Sequence, residues 1–92
     1  MTFRTRCFAA RCIATVTTGK LMCLRHWNKV PHEIQRRVYD AYRAMRKEEA
    51  GSLRRWHLEA TRAQLAVAEA EGLTDIVPSL RESVDRMEKG QL

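Results

Sequence analysis

The order of apolar and polar positions divides the chain at about residue 30. Before this point the apolar residues are irregularly spaced, and the β-branched run Thr15–Thr18 ends at Gly19, as is typical of a short hairpin or knuckle. Beyond it, apolar residues recur every three or four positions, the spacing that places them on one face of an α-helix. The pattern therefore predicts a mainly α fold in which a short N-terminal knuckle or β-hairpin is followed by three helices.

The predicted helices cover residues 31–47, 52–71 and 75–89. Pro31 suits the first turn of the first helix, and Gly72 suits the end of the second. The apolar face predicted for the second helix consists of Leu53, Trp56, Ala60, Ala63, Val67 and Ala70. We expect these helices and an N-terminal module, residues 1–30, to form one domain that covers residues 1–92.

A domain of 92 residues buries little apolar surface, and domains of this size often need a metal or a disulfide for stability. The chain has three cysteines, an odd number that would leave one unpaired. No apolar run is long enough to span a bilayer, and the N-terminal stretch is interrupted by arginines. We therefore expect a cytoplasmic protein without membrane contact, in which reduced cysteines bind a metal.

Four residues are candidate metal ligands: Cys7, Cys12, Cys23 and His26. The first two are separated by four residues, as at the ends of a tight knuckle, and the last two lie three apart, on one face of an opening helical turn. Zinc prefers such a tetrahedral set, and four protein ligands leave no position for a reactive water. The spacing predicts a structural Zn²⁺ site. The alternative is that the cysteines are small buried hydrophobic residues.

The second ligand pair belongs to a longer motif, Leu21-Met22-Cys23-x-x-His26-Trp27-x-x-Val30-Pro31. Together with Cys7-x4-Cys12 and residues 38–43, this motif resembles a group of small, mostly uncharacterised phage and prophage proteins over about half the chain, residues 7–46. The ligand pattern is also similar to treble-clef zinc modules, in which a knuckle and a helix start each supply two ligands. The resemblance implies bound zinc, a phage origin and a bacterial host cell, but no particular activity.

The positive charge is concentrated in the first half of the chain. Residues 1–47 carry eleven Lys and Arg against two acidic residues, whereas residues 48–92 carry six against nine, within a net charge of +6. A candidate partner-binding basic patch consists of Arg25, Lys29, Arg36, Arg37, Arg43 and Lys47. Its alternative is an ordinary solvated helix face. A basic patch of this kind can bind phosphates or an acidic protein surface.

Two functional hypotheses follow from this charge and the phage resemblance. In the first, the protein is a zinc-stabilised binding protein whose basic N-terminal half contacts nucleic acid or a nucleoprotein complex of the host. In the second, it is a phage-encoded inhibitor of a host defence system, such as an anti-CRISPR protein, that binds a host protein. A test of binding to free nucleic acid, with no host protein present, distinguishes the two hypotheses.

A catalytic function is not expected. A treble-clef nuclease would need a His with an Asp or Asn on the hairpin, and residues 13–21 contain no His, Asp or Glu. The second helix carries a further apolar strip at Leu58 and Leu65, which makes a homodimer an open alternative.

Overall fold

The N-terminal module begins with a two-stranded hairpin in the computed structural model, which describes residues 4–17 and 19–90. Strand β1, Arg4–Arg6, pairs antiparallel with β2, Thr15–Thr17, and Thr5 lies opposite Val16. The predicted hairpin is therefore confirmed, although Thr18 lies outside the described residues. Val16 is buried while its two neighbours in β2 are exposed, the alternation expected of a strand with one covered face.

The described part of the chain then forms one short and three long helices. These are α1, Leu24–Trp27; α2, His32–Arg46; α3, Ser52–Ala70; and α4, Val77–Glu88. The three long helices are those that the apolar periodicity predicts, and the mainly α fold class is confirmed. Pro31 lies immediately before α2 and Pro78 lies in the first turn of α4, positions at which proline costs no helical hydrogen bond.

Helices α2 and α3 end in the same backbone motif with different residues. After α3, Gly72 takes a left-handed conformation, and the next amide, of Leu73, donates back to Ala68 O at 3.0 Å. After α2, Glu48 occupies the equivalent left-handed position with φ 55°, and the Glu49 amide donates to the helix in the same way. Both ends are Schellman motifs, in which glycine is the usual residue.

Helix α3 is the centre of the helical layer, because α2 and α4 both pack against it. Its stripe Ala60, Ala63 and Val67 is fully buried, and Thr61 and Ala68 form a second buried stripe beside the first. Small side chains at these positions allow neighbouring helices to approach closely. Leu58 and Leu65, the strip that suggested a homodimer, are half-buried within the single chain.

The predicted apolar face of α3 is wrong at its two ends. Leu53 is exposed in the first turn, and Ala70 is exposed in the last. Gly51, with φ 76°, occupies the cap position, and the helix begins at Ser52. The buried positions of α3 are instead Ser52, Glu59, Ala60, Thr61, Ala63, Val67 and Ala68.

One hydrophobic cluster joins the N-terminal module to the long helices. Its buried members are Cys7, Ala9, Met22, Val30, Val38, Ala63 and Val67. Polar contacts reinforce this packing, since Gln64 Nε2 of α3 donates to Phe8 O at 2.8 Å. The helices therefore pack on the N-terminal module instead of projecting from it.

Candidate metal centre

The four cysteine and histidine residues that the spacing selects lie together in the folded chain. Cys7 follows β1, Cys12 ends the next turn, Cys23 precedes α1 and His26 lies within it. One ligand atom from each residue lies within 4.8 Å of those of the other three. The group is close enough to hold a metal ion.

The first ligand pair is positioned by a tight turn between the strands. The Cys7 amide donates to Ala14 O at 2.8 Å, and the Cys12 amide donates to Ala9 O at 3.2 Å. Arg11 closes this turn in a left-handed conformation with φ 64°. The chain thus forms the knuckle without glycine, at the cost of backbone strain at Arg11.

The second ligand pair is positioned by the single turn of α1. Cys23 occupies the N-terminal cap position of this helix, and the Trp27 amide donates to Cys23 O at 2.9 Å. A residue three positions along a helix returns to the same face, so His26 meets the Cys23 side chain. The Cys23 amide also donates to Cys7 Sγ at 3.3 Å, which connects the turn of α1 to the knuckle.

The interatomic distances fit a tetrahedral metal site. Cys7 Sγ lies 3.8 Å from Cys23 Sγ. A tetrahedron with metal–sulfur bonds of about 2.3 Å has sulfur–sulfur edges of about 3.8 Å. His26 Nδ1 lies 3.2 Å from Cys23 Sγ and 3.8 Å from Cys7 Sγ, on either side of the corresponding sulfur–nitrogen edge of about 3.5 Å. The cysteines form no disulfide.

Burial and hydrogen bonding shift the pKa values of two of the thiols in opposite directions. Cys7 is 4% exposed, and this burial raises the pKa of its thiol. A hydrogen bond from the His26 backbone amide lowers the pKa of the Cys23 thiol to about 7. Metals bind the thiolate form, which the lowered pKa of Cys23 favours and the raised pKa of Cys7 opposes.

The remaining nitrogen of His26 faces an acidic residue that sequence reasoning did not select. His26 Nε2 lies 3.1 Å from Glu71 Oε1, at the C-terminal end of α3. Lys29 Nζ lies 3.0 Å from the other carboxylate oxygen, and this hydrogen bond lowers the pKa of Glu71. The carboxylate is therefore charged at neutral pH.

The contacts of His26 identify the atom that can bind metal. Nδ1 points toward the sulfurs, while Nε2 lies near both Glu71 and Arg25 Nη2, at 3.1 Å in each case. Nε2 cannot donate to Glu71 and accept from Arg25 at the same time. With a metal on Nδ1, Nε2 carries the hydrogen and Glu71 accepts it, an arrangement common among metal-bound histidines.

The structure separates the six residues of the predicted basic patch into two groups. Arg25 and Lys29 surround Glu71 beside the candidate metal centre. The other four, Arg36, Arg37, Arg43 and Lys47, lie exposed on α2 or directly after it. Two of the six predicted residues therefore pair with Glu71, and the other four lie on α2 or directly after it.

Acidic neighbours partly neutralise the α2 group. Arg37 pairs with Glu33 and Arg43 pairs with Asp40, both on the same helix. Within residues 4–17 and 19–90, neither Arg36 nor Lys47 forms an ion pair. Exposed pairs of this kind are weak and exchange readily with other anions, so the side chains remain able to meet an incoming phosphate.

Five residues of α2 line a shallow depression of about 460 Å³. They are His32, Gln35, Arg36, Tyr39 and Arg43. We call these five residues the basic face. Its positions recur every three or four residues, which places them along one side of α2.

Glu71 is the site residue that the sequence analysis missed. The local signal was limited to its place before Gly72, which marks a helix end but says nothing of a histidine in another element. Only the packing of α3 against the N-terminal module brings this carboxylate to His26. No pattern of local spacing connects the two residues.

No helix in the described part of the chain combines the length and apolar character needed to cross a bilayer. Comparisons of this chain with protein-family models, with curated proteins and with solved structures gave no match. The geometry of the site therefore carries the functional argument.

Proposed function

We propose that this chain is a non-catalytic, zinc-stabilised binding protein whose basic N-terminal half contacts nucleic acid or a nucleic-acid-handling complex. The observation that carries the proposal is the clustering of three thiols and one imidazole within 4.8 Å, in a module that also packs against α2. The metal stabilises the module, and the module together with α3 holds the basic face of α2 in place.

The donor set favours zinc among biological metals. Thiolate ligands select zinc or other soft ions over magnesium and calcium, which prefer oxygen. Three sulfurs and one nitrogen complete a tetrahedron, so no coordination position remains for a catalytic water. In this proposal zinc has a structural role and supplies folding free energy, about 10 kcal/mol in small zinc-binding peptides.

Elemental analysis of the purified protein tests the metal. We expect one zinc ion per chain. When cobalt replaces the zinc, the absorption spectrum should be that of a tetrahedral cobalt–thiolate site. If the purified protein contains no metal and chelator does not change its melting curve, the cysteines are core residues and the zinc site is rejected.

Fluorescence anisotropy with labelled oligonucleotides tests the contact with nucleic acid. Each phosphate contact releases counterions, so affinity should fall steeply between about 50 and 200 mM salt. The double variant Arg36→Glu with Arg43→Glu should lose binding and keep its melting temperature. The matched control Arg81→Glu with Arg86→Glu carries the same change in charge on α4 and should bind as the wild type does.

The phage-inhibitor hypothesis makes the opposite prediction in this assay. An inhibitor of a host defence complex binds protein, and it need not bind free nucleic acid at all. Absence of binding to both single and double strands at about 50 mM salt would reject the nucleic-acid proposal. Association with a purified host nuclease complex would then support the anti-CRISPR alternative.

A further inference from the structure

An aromatic cavity of about 640 Å³ lies next to the basic face, between the hairpin, α1, α2 and the first half of α3. Five aromatic side chains line it: Phe8, Trp27, Tyr39, Tyr42 and Trp56. The volume lies within the range of small-molecule sites in proteins, about 300–1,000 Å³. Together these aromatic side chains form the wall of an open cavity.

The aromatic rings remain accessible. Tyr39 is 51% exposed, although most tyrosines of a small core would be covered. Its ring meets that of Trp27 edge to face, with centroids 5.6 Å apart and an interplanar angle of 74°. This perpendicular arrangement cannot cover both faces of both rings, so aromatic surface is left for a third planar group.

The charges around the cavity are all positive. Arg6 of the hairpin and Lys20 line it, and no acidic residue among residues 4–17 and 19–90 does. Tyr39 also belongs to the basic face, together with Arg36 and Arg43. Aromatic surface and cationic groups therefore meet at Tyr39, and a ligand that occupies both must be planar and negatively charged.

We propose that this cavity receives an unstacked base of single-stranded nucleic acid while the basic face binds the flanking phosphates. The proposal rests on the proposed function and names its ligand class. A duplex keeps its bases stacked and cannot place one in the cavity, whereas a single strand can turn a base outward. Sequence-tolerant single-strand binding combines a cationic surface with aromatic rings in this way.

Tryptophan fluorescence measures whether a base enters the cavity. The chain contains two tryptophans, Trp27 and Trp56, and both line the cavity. A base stacked there should quench their fluorescence. The probes are oligothymidylate of about 12 nucleotides, an abasic deoxyribose-phosphate oligomer of equal length and a duplex of equal length, each added to zinc-loaded protein at low salt.

We expect oligothymidylate to quench the fluorescence and to bind about tenfold more tightly than the abasic oligomer. The duplex should bind through its phosphates without quenching. Tyr39→Ala should weaken oligothymidylate binding about tenfold and abasic binding by a clearly smaller factor, because the stacking surface is lost while Arg36 and Arg43 remain. Tyr39→Phe keeps the ring and should bind as the wild type does.

A control variant separates loss of stacking from loss of exposed apolar surface. Ile13 is 82% exposed and does not line the cavity, so Ile13→Ala should change neither affinity nor quenching. If Tyr39→Ala lowers the melting temperature, comparison of the oligothymidylate and abasic probes on wild-type protein still decides the question.

The outcomes distinguish this inference from the proposed function. Equal affinity for oligothymidylate and the abasic oligomer, without quenching, would overturn the base-binding cavity. The proposed function would then survive if Arg36→Glu with Arg43→Glu abolished binding of both probes. Failure of every nucleic-acid probe to bind would overturn this inference together with direct nucleic-acid contact in the proposed function.

Discussion

His26 Nε2 lies 3.1 Å from Glu71 Oε1, and this contact joins the candidate metal centre to the end of α3. Lys29 holds the other oxygen of the same carboxylate. The module and the helical layer are therefore connected through a metal ligand as well as through apolar packing. Metal binding should stabilise both parts of the molecule.

Substitution of Glu71 should weaken metal binding without removing a ligand. Loss of the acceptor in Glu71→Leu frees the His26 ring and should lower zinc affinity about 10–100-fold. Glu71→Gln keeps an acceptor oxygen without the charge, so its affinity should lie between those of the wild type and Glu71→Leu. Competition with a chromogenic chelator measures the three affinities, and equal values would show that Glu71 does not orient the histidine.

Loss of one sulfur should unfold the N-terminal module. Cys23 contacts both Cys7 and His26, so Cys23→Ser should remove most of the folding free energy that the metal supplies. We expect a circular dichroism melt at lower temperature that chelator no longer changes. The matched variant Ile13→Ser alters an exposed residue of the same module and should keep the wild-type response. A chelator-sensitive melt of Cys23→Ser would contradict this assignment.

Glycine should suit the knuckle better than alanine at position 11. Arg11 adopts φ 64°, a conformation that costs about 1–2 kcal/mol for residues with a Cβ. Arg11→Gly and Arg11→Ala both lose the exposed ion pair with Asp75, so their difference reports the backbone alone. We expect Arg11→Gly to be more stable than Arg11→Ala by about 1 kcal/mol in urea unfolding. The reverse order would show that Arg11 is not strained.

The end of α2 provides an independent test of the same effect, far from the metal ligands. Glu48 has φ 55° in a Schellman motif and forms no ion pair within the described residues. Glu48→Gly should raise the free energy of unfolding by about 1 kcal/mol, whereas Glu48→Ala should not. Thermal melts of the two variants measure this, and a less stable Glu48→Gly would count against the left-handed conformation.

The sequence by itself determined the features that depend on short spacing. Apolar residues every three or four positions predict helices α2, α3 and α4. In the folded chain the middle of the apolar face predicted for α3 is buried. The four candidate ligands followed from their chemistry, because three thiols and an imidazole at these spacings can converge on one ion. Neither inference required knowledge of which elements become neighbours.

The tertiary structure decided the features that depend on distant residues becoming neighbours. Packing of α3 brought Glu71 to His26 and into ion pairs with Arg25 and Lys29. The same packing set Trp56 of α3 in the wall that contains Tyr39 of α2. Local patterns give the face of each helix, but the relative placement of helices follows from how all their side chains pack together.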